Sequence, residues 1–167
     1  MTQYLVDSSP FIEAKQRYYG FDFCPGFWEA IEAAHAESRV FSIDRVRQEL
    51  VGEKDELSTW SAAAVSPAFF LDTSTQAVAS EFAPLMAWVN AQPQFTSAAK
   101  AEFAMATVAD GWLIAAAKLH GMTLVTHEVP RPEARKRVPI PNVCAAFGVP
   151  YANTFQMLRD LGISLVI

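Results

Sequence analysis

The chain has 167 residues, 51% hydrophobic and 19% charged, with a formal net charge of -5. That length and apolar content predict one folded domain over residues 1–167 and exclude a chain that is disordered throughout. The acidic balance argues against a general nucleic-acid coat protein, and no apolar run approaches the ~20 residues that a membrane-spanning helix needs.

The chain begins with a short apolar run, Tyr4 to Val6, that stops on Asp7. The run predicts a buried strand. Ser8 or Ser9 is expected to cap the next helix, with Pro10 in its first turn and PFIEAKQR as its body, leaving Asp7 free at the strand's end. The aromatic stretch YYGFDFCPGFW is broken at Gly20 and at Pro25-Gly26. It reads as a folded loop covering the core or as a contact for another chain, ahead of a base-stacking surface built with Lys15 and Arg17. A helix is predicted from about Phe27 to Glu37, and RVFSI is the second strand. Asp44 is expected to cap the helix DRVRQELVG, which Gly52 can close.

Asp55 to Val65 reads as helical, and AFFL as a short strand or the helix's exit. Thr75 to Asn90 and Ser97 to Thr107 are predicted helices, with Pro84 a kink or break. The helix of ADGWLIAAAKLHG ends at Gly121 and runs into MTLVTHE, the third strand. A loop with four prolines follows, then a short helix near NVCAAFG. The helix TFQMLRDLG, capped by Thr154, and a last strand, ISLVI, complete the chain. Strands alternating with helices predict an α/β fold with a mostly parallel sheet, in which ligands bind beyond the carboxyl ends of the strands.

Four acids stand out by position. Asp7 ends the first strand, and a helix cap is its bland explanation. Glu49 follows Val46 by three residues and precedes Leu50, so it lies on or beside an apolar stripe. Asp110 begins a helix whose Leu113, Ile114 and Ala117 share its face. An acid there suits the helix dipole, but one leading an apolar stripe is costly unless a cation meets it. Glu128 follows the third strand, with Thr126 on the same side by alternation. Two strand-end acids and two helix acids, brought together, would resist joint ionisation without a cation. Their oxygen-only chemistry suits Mg²⁺ or Mn²⁺.

The remaining motifs narrow the classes. His35, His120 and His127 form no zinc spacing, and Cys24 and Cys144 form neither a CxxC pair nor a disulfide framework. Asp22 is a further acid in the aromatic stretch. There is no GxGxxG, Walker or GxSxG motif. The first residues carry no secretory pattern, so a cytoplasmic location is expected. Arg131, Arg135, Lys136 and Arg137 crowd into RPEARKR, either to track phosphates or, as the simpler reading of that segment alone, as a solvated loop.

YLVDSSPF, the acid late in RVRQEL, ADGWLIAAAKLHG and LVTHE resemble, in order and spacing, the motifs of PIN-domain nucleases. The most similar group is the VapC-like toxin ribonucleases of bacterial toxin–antitoxin systems. The resemblance implies a PIN-like three-layer sandwich, metal-dependent RNA cleavage, an inhibiting antitoxin and a homodimer. Carried over residue by residue, Asp7, Glu49, Asp110 and Glu128 take the acidic catalytic and metal positions, while Ser8 and Thr126 match supporting positions beside them. Glu128 stands where aspartate is more usual, and the chain is longer than the typical toxin, through the aromatic stretch and the region Asp55 to Asn90. Two other readings stay open. One is aspartyl-phosphate chemistry at Asp7, of phosphohydrolase or receiver type, although Ser9 stands where a second acid is wanted. The other is a non-catalytic PIN-like scaffold that binds RNA or protein.

Overall fold

Tyr4–Val6 (β1), Val40–Ile43 (β2), Phe70–Leu71 (β3), Thr123–Val125 (β4) and Tyr151–Ala152 (β5) form one all-parallel sheet, ordered β3-β2-β1-β4-β5. The coordinates are those of a computed structural model, which describes residues 1–166. Helices Ser8–Glu13 (α1), Pro25–Ala36 (α2), Asp44–Gly52 (α3), Glu56–Thr59 (α4), Gln76–Ala91 (α5), Ser97–Ala104 (α6), Asp110–His120 (α7), Ile140–Phe147 (α8) and Thr154–Asp160 (α9) flank the sheet. The result is the expected α/β three-layer sandwich, consistent with a PIN-like architecture. No helix among the described residues is long and apolar enough to cross a membrane.

The central strand is wholly buried, Tyr4, Leu5 and Val6 each being 5% exposed or less. Burial on both faces explains why it reads as a continuous apolar run without alternation. The aromatic stretch packs on the core. Tyr19 stacks on Phe27 at 4.5 Å, Phe21 stacks on Trp28 at 4.1 Å, and the Trp28 indole donates to the Tyr19 carbonyl. Lys15 pairs with Asp55 at 2.9 Å, and Asp22 is exposed, outside the acidic cavity described below.

Several expected boundaries differ. The segment Ile163 to Val166 carries no strand, and Ile167 lies outside the described residues. The place beside β4 is taken by Tyr151–Ala152, in register with Leu124 and Val125. Beyond α9, Gly162 turns with φ of +68° and the Ile163 amide donates to the Leu158 carbonyl, so this apolar tail closes the helix. The cap of α9 is Asn153, not Thr154. Asn153 and Gln156 form a reciprocal capping box, while the Thr154 hydroxyl meets His127 Nε2 at 2.8 Å. Asp44 lies inside α3, where its carboxylate accepts from Thr73 and the Arg45 amide. Pro84 neither ends nor divides α5. It faces solvent, and the Ser80 carbonyl that it leaves without an amide partner is on an exposed residue.

Two devices hold the segments that carry Glu49 and Asp110. Arg45 of α3 donates to the Thr73 hydroxyl and the Ala106 carbonyl, and lies 4.1 Å over the Trp112 ring, which stacks on Phe82. Gly111, the second residue of α7, lets the helix start close to α5 and α6. A Cβ there would lie 2.7 Å from Phe82 and 3.2 Å from Phe103. Gly111→Ala is therefore expected to lower stability by about 1–3 kcal/mol, measured by chemical denaturation, because the Phe82 ring is held in its stack and cannot swing away without loss.

Candidate active site

β1 leads toward β2 and β3 on one side of the sheet, whereas β4 and β5 lie on the other. Chain connections therefore leave β1 and β4 in opposite directions, which opens a crevice at their carboxyl ends. Asp7 and Thr126 are the residues that follow these two strands, and backbone hydrogen bonds fix both. The Asp7 amide donates to the Val125 carbonyl at 2.9 Å, and the Thr126 amide to that of Ala152 at 3.0 Å.

A cavity of about 300 Å³ opens there, and Asp7, Glu49, Asp110 and Glu128 all line it, with Ser8, Ser9 and Arg137. Asp7 is the deepest, 5% exposed. It is also the N-cap of α1: its carboxylate accepts from the Ser8 amide at 2.7 Å and from the Ser9 hydroxyl at 3.3 Å. The serines were expected to cap in its place, but an acid that ends a strand directly before a helix can cap and face the crevice together. Thr126 donates its hydroxyl to Asp7 at 3.1 Å and accepts from the Glu128 amide at 3.2 Å. One buried hydroxyl thus orients both strand-end acids.

Burial pushes the Asp7 carboxyl up to about 7, the Asp110 and Glu128 charges add to this, and the Ser8 amide and Thr126 hydroxyl oppose it. The other three are raised as well. For Asp110 the cause is burial, opposed by Arg137. For Glu128 it is burial and then the Asp110 charge, again opposed by Arg137. Glu49 is an exposed residue at the rim, yet the shielding of its carboxylate end raises it, with Asp110 contributing and the Ser8 hydroxyl opposing.

Arg137, grouped in the sequence with the other basic residues of RPEARKR, pairs with two of the four acids. Its guanidinium spans two acids, 3.2 Å from Asp110 Oδ2 and 3.3 Å from Glu128 Oε1, on a side chain that is 59% exposed. Nothing in its local sequence distinguishes it from Arg135 or Lys136; a long loop delivers it. Asn142 holds that loop by bonds in both directions with the Arg131 backbone. Gln94 donates to the Pro132 and Ala134 carbonyls, and the Thr96 amide to the Arg135 carbonyl. Arg131, Arg135 and Lys136 line an adjoining cavity of about 720 Å³ that shares Glu128, Ser9 and Arg137 with the acidic one. Ser9, read from sequence as a cap or as a group supporting the site, donates to Asp7 and lines both cavities.

The donor set is all oxygen, which fits a hard divalent cation. With the side chains as they stand, no group of three His, Cys, Asp or Glu among the described residues is gathered to hold an ion. Arg137 supplies positive charge between two of the acids instead. Cys144 is buried and Cys24 half-buried, both as free thiols.

A family model described as "Domain of unknown function (DUF4411)" matches residues 4–165. The chain belongs to that family. The matched span contains β1 through α9 and every residue of the acidic cavity. No curated protein and no solved structure matches the chain.

Proposed function

We propose that the protein is a metal-dependent endoribonuclease of PIN type that hydrolyses RNA phosphodiester bonds, acting as the toxin of a type II toxin–antitoxin pair. The cytoplasmic location, the antitoxin partner and the homodimer belong to the same proposal. The observation that carries it is the buried Asp7, held by hydroxyl and amide donors and facing one cavity with three further acids. Four carboxylates in such a place call for an added cation. Asp7, Glu49 and Asp110 would hold Mg²⁺ or Mn²⁺, with Glu128 taking part directly or through water. Such an ion supplies positive charge to the phosphodiester and acidifies water.

The chain's own residues do the rest. Thr126 keeps one Asp7 oxygen aligned, and the Ser8 amide keeps the other. Arg131, Arg135 and Lys136 lie along the neighbouring cavity, at positions that suit an RNA backbone, whose phosphates they would neutralise. Arg137 reaches the boundary between the two cavities and can pass from carboxylate to phosphate. Phosphoryl transfer to Asp7 itself fits less well, because the carboxylate is buried and both its oxygens are engaged.

Purified protein given a fluorescent single-stranded RNA with Mg²⁺ or Mn²⁺ should cut it, and a chelator should stop the cutting. Asp110→Asn should reduce the rate by about a hundredfold or more, since loss of a ligand costs at least what loss of an outer partner does. RNA left whole with both ions, or equal cutting by Asp110→Asn, would sink the proposal.

A further inference from the structure

We propose that the cleft beside β4 and β5, lined by Tyr18, Tyr151 and Phe155, is a subsite for one base of a single-stranded RNA. This rests on the ribonuclease reading. The cleft has a volume of about 550 Å³ and meets both the acidic and the basic cavity at Glu128. A strand laid along the basic cavity with a phosphate over the acids therefore has a neighbouring base at the mouth of this cleft.

The lining suits a base and not a phosphate. Tyr18, Tyr151 and Phe155 are 48%, 38% and 36% exposed, a concentration of accessible aromatic surface around one hollow. Tyr18 meets Phe155 edge to face, with ring centroids 5.5 Å apart, which fixes the two rings as a corner. Stacking on such rings accepts any base, because every base has a π face. Glu128 is the one carboxylate along the lining, and no lysine or arginine lines the cleft among the described residues. His127 also lines the cleft, but burial lowers its pKa and favours the neutral ring, so a phosphate has no lasting cation to meet there.

The polar groups of the cleft add a preference. Asn153 and Gln156 each spend the side-chain carbonyl on the other's backbone amide, at 2.9 Å in both directions. Their amide nitrogens have no hydrogen-bond partner among the described residues. Asn153 and Gln156 thus present N–H donors, which favour a base edge of carbonyl acceptors, while the Glu128 oxygens are already met by Arg137 and the Ile140 amide. Uracil offers an acceptor at the position where cytosine has an amino group, and the two rings stack alike.

The test is binding of fluorescein-labelled hexauridylate to the full chain by anisotropy, with chelator present so that the RNA stays whole. Phe155→Ala and Tyr151→Ala should each weaken binding by about tenfold, while Phe155→Tyr restores it. Hexacytidylate should bind more weakly than hexauridylate, and Tyr18→Ala should fall in the same direction as the other two. Each variant must melt like the wild type, which these exposed positions allow. If the wild type binds hexauridylate and both alanine variants bind equally well, the subsite is overturned, the ribonuclease reading stands, and the cleft is left to a protein partner. Equal binding of the two homopolymers overturns the preference for acceptors. Failure of the wild type both to bind and to cut RNA removes the ribonuclease reading, and the subsite with it.

Discussion

Asp7→Asn is expected to stabilise the metal-free protein at neutral pH and, in the same molecule, to abolish RNA cleavage. The wild-type carboxyl has its folded pKa raised from an ordinary 3.8 to about 7. Below about pH 4 it is protonated in both states, and folding carries no penalty. Between pH 4 and 7 the unfolded chain releases the proton and the folded one retains it, so stability falls as pH rises. Above pH 7 the loss levels off, with an upper bound of about 4 kcal/mol from the size of that displacement. Asp110, Glu128 and Glu49 are raised too, so they act in the same direction.

Asparagine has nearly the same shape, keeps one oxygen for the Ser8 amide, and turns its NH₂ toward the Ser9 and Thr126 hydroxyls, which can rotate to accept. Lost hydrogen-bond quality offsets part of the gain. The variant should melt ~3–8 °C above the wild type at pH 8. The advantage should shrink as pH falls and vanish near pH 4. Mn²⁺ should raise the melting temperature of the wild type and leave the variant nearly unmoved. Scanning calorimetry across pH, with and without Mn²⁺, measures all three. A variant that melts below the wild type at pH 8 contradicts the penalty of the buried charge, and one that still cuts RNA contradicts its use in cleavage.

What the sequence made legible follows from which signals are local. β1 and β4 could be read because each is a run buried on both faces, and the polar residues that stop them, Asp7 and Thr126 to Glu128, fall in the crevice. Glu49 and Asp110 could be placed by helical spacing, which assigns a face but not a partner. That all four acids line one cavity needed the strand order, and this depends on contacts across the whole chain. β5 escaped because two residues carry no periodicity, while ISLVI matched a strand's composition, yet Ile163 to Val166 follow α9 without forming a strand and the Ile163 amide closes that helix. The same limit hid the double role of Asp7. Capping and facing a crevice are compatible only in a particular strand-to-helix turn, and the serines offered an equally good local cap.

Arg137 was the least legible residue of the site, and its replacement should separate two properties that usually change together. Arg137→Met is expected to tighten Mn²⁺ binding and to slow RNA cleavage. The guanidinium now lies within 3.3 Å of both Asp110 and Glu128, so an entering cation competes with it for the same oxygens. Removing it frees those oxygens and leaves their repulsion uncompensated, and both effects favour the ion. Because the side chain is largely exposed, each contact is weak in water, and the gain in affinity should be about two- to tenfold. Methionine keeps the length and apolar contact of the stem without the charge. On the proposed ribonuclease reading cleavage should fall, because the arginine displaced by the ion would be the cation nearest the scissile phosphate. Calorimetric titration with Mn²⁺ gives the first quantity and the rate of RNA cutting at saturating Mn²⁺ gives the second. Weaker Mn²⁺ binding in the variant would mean that Arg137 organises the acids for the ion instead of standing in for it. Unchanged cutting would confine Arg137 to the metal-free state.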